Sequence, residues 1–74
     1  MNIEIVKHIY EKVCIARFEG YNFVLVNLNK SLGEIYTEDN ILASVMYLKG
    51  IYPNTRLVKS DIGLFDNYQV MIGW

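Results

Sequence analysis

The sequence of 74 residues has very few of the side chains from which catalytic and metal sites are built. It contains one cysteine and one histidine. The single histidine, His8, cannot form a two-histidine metal site. Cys14 has no second cysteine to pair with and follows an apolar residue, so we expect it to be a small core residue. We therefore predict no metal site and no catalytic thiol.

Glycine-rich loops are also missing. The five glycines are isolated from one another along the chain. A phosphate-cradling loop of the P-loop or dinucleotide-binding type needs glycines close together, so it cannot be built here. We predict that the protein is not an enzyme and binds no cofactor.

Charge of one sign is not concentrated anywhere. The chain has seven basic and eight acidic residues, with a formal net charge of −1. Nucleic-acid binding normally requires a basic patch, because neutralising phosphates supplies most of the affinity. We therefore regard direct binding of nucleic acid as the less favoured function.

Long hydrophobic runs are absent as well. The longest, Phe23 to Val26, is far shorter than the roughly 20 residues of a membrane span. The N-terminal residues lack the basic start and apolar block of a signal peptide, and a lone cysteine fits a reducing compartment. The sequence predicts a cytoplasmic protein that does not enter a membrane.

Apolar and aromatic residues, by contrast, are abundant. Hydrophobic residues make up 53% of the chain, and the aromatics are six Tyr, three Phe and one Trp. A chain of this length forms a single domain, residues 1–74, which buries only about 60% of its surface on folding. Part of the apolar surface is therefore expected to face a partner, and a homo-oligomer is one possibility.

Two stretches have the pattern of β-hairpins. In Val13 to Leu28, two β-rich runs flank Glu19-Gly20, a two-residue connection that contains glycine. Near the C-terminus, Asp66-Asn67 stands between similar runs as a second turn pair. Ser60-Asp61 and Gly63 interrupt the strand before that turn and indicate a bulge or bend.

Two other stretches have helical patterns. The first, Asn2 to Val13, begins with a capping asparagine and has apolar residues spaced by three and four. Those residues are Ile3, Val6, Ile9, Tyr10 and Val13. An alternative interpretation makes residues 2–9 another strand, because Ile3 and Ile5 alternate with polar residues.

The second helix is predicted from Glu38 to about Lys49. Thr37 is its predicted N-cap, and the carboxylates of Glu38 and Asp39 stabilise the positively polarised first turn. Gly50, followed by Pro53, is the predicted end of the helix. The predicted core face is Ile41, Leu42, Val45 and Leu48, and the opposite face is Asn40, Ala43, Ser44 and Tyr47.

The resulting prediction is an α+β domain in αββαββ order. Two hairpins form one antiparallel sheet of four to five strands, which includes a short edge strand at Ile35-Tyr36, and two helices cover one face. We expect the first hairpin to hold the middle of the sheet, because its second strand is apolar on both faces. The second hairpin is expected at the edge.

The favoured function is that of a small binding protein that occludes a surface on a larger macromolecule. Ile, Asn, Tyr and Lys, whose codons are rich in A and T, are frequent. This suggests an inhibitor of host defence or host machinery from a phage or mobile element. The partner, most simply a protein, would meet exposed acids and aromatics, namely Glu38, Asp39, Tyr47, Tyr52, Asp66 and Trp74. The alternatives are a homo-oligomer that binds a small ligand such as a nucleotide, and a structural subunit that folds with its partner.

Overall fold

The computed structural model describes residues 2–60 and 67–74. They form two α-helices, α1 (Ile3–Phe18) and α2 (Glu38–Ile51), and three strands, β1 (Phe23–Leu28), β2 (Arg56–Ser60) and β3 (Asn67–Gly73). A short 3-10 helix, Lys30–Leu32, follows β1. The sheet has the order β1-β3-β2, and β3 is antiparallel to both neighbours. β1 and β2 therefore run in the same direction, and α2 lies between them in the chain.

The α+β prediction with two helices is right, but the sheet of four to five strands in αββαββ order is wrong. Residues 13–18 do not form a strand; they continue α1 to Phe18. The sequence there has β-branched residues, yet Val13 and Ala16 extend the buried stripe of the helix. Tertiary burial of that stripe outweighs the local preference for strand.

Glu19-Gly20 is the end of a helix and not a hairpin turn. Gly20 has a φ of 89°. Its N–H donates to the carbonyl of Arg17, and the N–H of Tyr21 donates to the carbonyl of Ala16. This pair of bonds is the Schellman motif, in which a glycine of positive φ closes a helix.

The C-terminal strands pair as expected, although Asn67 of the predicted turn pair belongs to a strand. β2 and β3 are antiparallel neighbours, with Ser60 opposite Asn67. Asn67 is therefore the first residue of β3 and not part of a turn. Asp66, Asp61 and Gly63 lie outside the described residues, as does the predicted bulge.

The positions of the strands in the sheet also differ from the prediction. The middle strand is β3, and β1 lies at an edge. Both faces of β1 carry apolar side chains, but only one face is buried. The outward side chains Phe23 and Leu25 are about half exposed, so the apolar pattern does not make β1 a central strand. Ile35 and Tyr36 form no strand, and Tyr36 instead packs into the core from the loop before α2.

Helix α1 is capped as predicted but buries a different face. The Asn2 side chain accepts hydrogen bonds from the N–H groups of Glu4 and Ile5. The strand alternative for residues 2–9 is wrong, since all but Asn2 are helical. The buried residues are Ile5, Ile9, Val13 and Ala16, whereas Ile3 and Tyr10 of the predicted face are exposed.

Helix α2 begins as predicted and ends slightly later. The Thr37 side chain accepts a hydrogen bond from the N–H of Asn40 at 3.3 Å. The helix passes through Gly50 to Ile51, so the glycine stop is wrong. Tyr52 ends the helix in an extended conformation, which the following Pro53 favours.

The core lies between the two helices and one face of the sheet. α2 contributes Ile41, Val45 and Leu48 as predicted, but Leu42 is 38% exposed. Ser44, expected on the opposite face, is fully buried. The sheet contributes Val26, Leu28, Tyr68, Val70 and Ile72.

Candidate protein-interaction surface

The face of the sheet that points away from the helices carries half-exposed apolar side chains. Side chains alternate between the faces of a strand, and the burial pattern identifies the outward set in each strand. We call this set the open face: Phe23, Leu25, Asn27, Arg56, Val58, Ser60, Asn67, Gln69, Met71 and Gly73. Phe23 is 51% exposed, Leu25 50% and Val58 58%. Among these ten described positions, Arg56 is the one charged residue.

One half of the open face is apolar. Met71 stands in register between Leu25 on β1 and Arg56 on β2. Phe23 is opposite Gly73, which has no side chain to cover the ring. Because neighbouring strands are about 4.8 Å apart, Phe23, Leu25 and Met71 form one continuous apolar area.

The other half of the open face is lined by amides. Asn27 is in register with Gln69, which is in register with Val58. The Asn29 side-chain amide donates to the Asn67 side-chain oxygen at 2.7 Å. Together with Ser60, these residues line a depression of about 440 Å³. Primary amides both donate and accept, so this half suits a polar, uncharged group.

Four of the six predicted partner-binding residues lie on α2 or at its end and not on the open face. Glu38 and Asp39 are exposed at the start of α2, and the Glu38 carboxylate is 3.5 Å from the Nζ of Lys59. Tyr47 is about half exposed farther along α2, and Tyr52 packs against the core at the far end of the helix. These residues are therefore spread along α2 and do not converge.

Trp74, another predicted partner-binding residue, is likewise separate from the residues of α2. The N–H of Trp74 donates to the carbonyl of Asn22 at 3.1 Å, which places Trp74 at the end of the sheet where β1 begins. Its side chain is 38% exposed. Asp66 lies outside the described residues.

The thiol of Cys14 is exposed, so the prediction of a core cysteine is wrong. α1 extends past Cys14, and its buried stripe passes through Val13 and Ala16 on either side. A hydrogen bond with the Cys14 thiol raises the pKa of the Tyr10 hydroxyl, one helical turn away. The prediction of a buried thiol relied on the apolar residue before it, but on the helix that residue, Val13, takes the core position and Cys14 faces solvent.

His8 makes a structural contact. Its ring meets the ring of Tyr36 edge-on, with 6.1 Å between the centroids. Burial, with a smaller effect from Glu4, raises the pKa of the Tyr36 hydroxyl. Within residues 2–60 and 67–74, no group of three or more His, Cys, Asp and Glu side chains could hold a metal ion. Neither described helix has the length and apolar character that crossing a membrane requires.

Sequence reasoning missed the open face, although one signal for it was present. The alternation in β1 places Phe23 and Leu25 on one side of the strand and Val24 and Val26 on the other. Both sides are apolar, which indicates either a central strand or an edge strand with an exposed apolar side. The β1-β3-β2 order decides for the second. No protein-family model, curated protein or solved structure matches this chain.

Proposed function

We propose that the protein is a small non-enzymatic binding protein that uses the open face to cover a surface on a larger protein. The occluding function is the one expected from the sequence, but its contact surface is the open face in place of the six residues predicted from the sequence. An inhibitor of host machinery from a phage or mobile element remains the favoured setting, supported by composition alone. A cytoplasmic location is supported by the single cysteine.

The observation that carries the proposal is the apolar half of the open face. Leu25 and Phe23 are half exposed beside Met71, and the half-exposed Val58, at the border with the amide half, is a diagonal neighbour of Met71. Exposed apolar side chains that adjoin one another on a flat sheet are typical of contact surfaces, whereas scattered ones need no explanation. Burial of such an area against a partner releases about 25 cal/mol for each Å² removed from water.

The composition of the open face favours a protein over a nucleic acid. Arg56 is its one charged side chain among the described positions, and Phe23 its one aromatic. A nucleic-acid surface would need several cations for the phosphates and several aromatic rings on which bases stack. The amide half instead matches the polar rim that surrounds the apolar centre of protein interfaces.

Affinity capture with matched variants tests the proposal. The native chain, Val58→Lys and Met46→Lys are immobilised and exposed to the same host lysate. Val58 is on the open face, and Met46 is 74% exposed on α2. The two substitutions therefore add the same charge at exposed apolar positions on different surfaces.

We expect one protein to be retained by the native chain and by Met46→Lys, and at least tenfold less of it by Val58→Lys. Retention of the same protein by all three chains would contradict the use of the open face. If nothing is retained at micromolar concentration, the binding function itself is wrong.

A small ligand is a second candidate occupant, and the amide half supports it. The depression beside Asn27 and Gln69 is lined by groups that can pair with the polar edge of a base or sugar. Native mass spectrometry of the freshly purified protein separates the candidates. Additional mass that disappears with Asn27→Ala would favour the small ligand, and the mass of the bare chain would reject it.

A further inference from the structure

The sheet has two outer strands, β1 and β2, and the pairing of β1 with β3 determines which backbone groups of β1 point outwards. The N–H of Trp74 donates to the carbonyl of Asn22, so this pair of residues is hydrogen-bonded across β1 and β3. Backbone groups alternate sides along a strand, so Val24 and Val26 also bond towards β3. The N–H and C=O groups of Phe23, Leu25 and Asn27 then point to the opposite edge. Among the described residues, no strand pairs with that edge.

The two outer strands differ in how they are protected. β2 carries Arg56 and Lys59 among its five residues. Charged side chains, lysine above all, are the common means of keeping an edge strand from pairing with another chain. β1 has the sequence Phe-Val-Leu-Val-Asn-Leu and contains neither a charged residue nor a proline. The edge of β1 can therefore pair with another strand, whereas the charged residues of β2 disfavour such pairing at its edge.

An apolar groove runs along the open edge, between α1 and β1. Its volume is about 370 Å³. α1 and its C-cap contribute Lys12, Ile15, Ala16 and Glu19 to the lining, and the following segment contributes Tyr21, Phe23, Val24 and Leu25. Ile15, Tyr21, Phe23 and Leu25 are each about half exposed. A strand added to β1 would cover part of this apolar surface.

The groove carries one basic and one acidic residue, Lys12 and Glu19, which can pair with the same two residues of a second copy. Lys12 on α1 and Glu19, the C-cap of α1, are seven residues apart, and Ile15 and Ala16 lie midway between them. A two-fold axis near this midpoint reverses the order of the second helix. Lys12 then faces the partner's Glu19, and Glu19 faces the partner's Lys12, in an interface that uses the same patch twice. A second copy of this chain therefore supplies the apolar strand and both opposite charges at once.

We infer that β1 pairs antiparallel with β1 of a second copy and forms a symmetric dimer. The register that sets apolar side chains opposite each other places Val24 on the two-fold axis and pairs Phe23 with the partner's Leu25. The two sheets become one sheet of six strands, with the helices of both copies on one side. The open faces join into one surface. This inference goes beyond the proposed function and does not depend on it.

Light scattering of the purified native chain, coupled to size-exclusion chromatography, tests the dimer. We expect a mass twice that of the 8.6 kDa monomer, and on dilution we expect the measured mass to fall towards the monomer mass. Leu25→Pro removes an N–H that points away from β3, so the monomer fold is kept while the edge can no longer pair. We expect a monomer with a native circular dichroism spectrum. Met46→Lys, which changes an exposed residue of α2 and leaves the edge of β1 intact, is the control and is expected to remain a dimer.

A cysteine on the axis supplies a second measurement that does not rely on proline. Residues in a non-hydrogen-bonded antiparallel pair have Cα atoms about 4.5 Å apart, within reach of a disulfide. Val24→Cys in a Cys14→Ser background is expected to form a disulfide-linked dimer under mild oxidation with copper phenanthroline. Val58→Cys in the same background is expected not to. A monomeric native chain, a Leu25→Pro dimer or a failure of Val24→Cys to cross-link would overturn the inference.

Discussion

The hydroxyl of Ser44, fully buried on α2, accepts a hydrogen bond from the N–H of Asn2 at 3.1 Å. The same hydroxyl is 2.7 Å from the carbonyl oxygen of Asn40, to which it donates. Asn2 is also the N-cap of α1. One side chain on the second helix therefore fixes the start of the first helix, 42 residues away in the chain.

Ser44→Ala should destabilise the fold by about 1–2 kcal/mol, because it leaves the N–H of Asn2 without its acceptor in a partly buried place. The measurement is the free energy of unfolding in urea. Tyr47→Phe removes an exposed hydroxyl from the same helix and should change that free energy by less than about 0.5 kcal/mol. Equal effects of the two substitutions would show that the contact between Ser44 and Asn2 adds nothing.

Gly20 and Gly50 should respond to alanine with opposite signs. Gly20 has a φ of 89°, and a Cβ there meets no atom of residues 2–60 and 67–74 within 4 Å, so we attribute the cost of Gly20→Ala to the backbone. We expect a loss of about 1 kcal/mol. Gly50 is helical and also open to solvent, so Gly50→Ala should stabilise by about 0.5–1 kcal/mol. Destabilisation by Gly50→Ala would instead support the helix stop that the sequence predicts at Gly50.

The thiol of Cys14 should react with Ellman's reagent in the folded protein, because it is exposed on α1. The control is Val13→Cys in a Cys14→Ser background, which moves the thiol by one residue to a fully buried position. That thiol should react only on unfolding. If Cys14 is labelled only after addition of denaturant, Cys14 is buried, and either α1 is rotated about its axis or the helix ends before residue 14.

The free energy of unfolding should fall at alkaline pH, because the hydroxyl of Tyr36 then loses its proton. Burial raises the pKa of its hydroxyl above the ordinary value, so the unfolded chain loses this proton at a lower pH than the folded chain does. The protonated hydroxyl of Tyr36 therefore contributes to the free energy of unfolding. This contribution is fully present below a pH of about 10 and is lost as the pH rises through the pKa of Tyr36 in the folded state. Urea unfolding at pH values from about 8 to 11 measures the slope. Tyr36→Phe should make that slope shallower, and an unchanged slope would contradict the assignment.

Local sequence signals were sufficient for α2. The hydroxyl of Thr37, the acids Glu38 and Asp39, and the spacing of Ile41, Val45 and Leu48 all point to the same helix, and the structure has it. Pro53 also indicates where it ends. Each of these signals acts within one or two turns, which is why the sequence alone reveals them.

The C-terminal part of α1 and the order of the strands could not be obtained in the same way. Gly20 adopts a positive φ whether it closes a helix or turns a hairpin, so its presence does not distinguish the two. Val13 and Ile15 favour a strand locally, and burial of Val13 beside Ala16 decides for helix. The pairing of β1 with β3 joins residues about 45 positions apart, such as Val26 and Val70, and no local pattern records it. The open face depends on that pairing and was missed for the same reason.

Photo-cross-linking from single positions tests the central claim, that the open face is the binding surface, most directly. A photoreactive amino acid replaces Val58 in one chain and Met46 in another, and each chain is irradiated with the captured partner. We predict a covalent adduct from position 58 and none from position 46. An adduct from position 46 with none from position 58 would contradict the account, because the partner would then contact the exposed side of α2 and not the sheet.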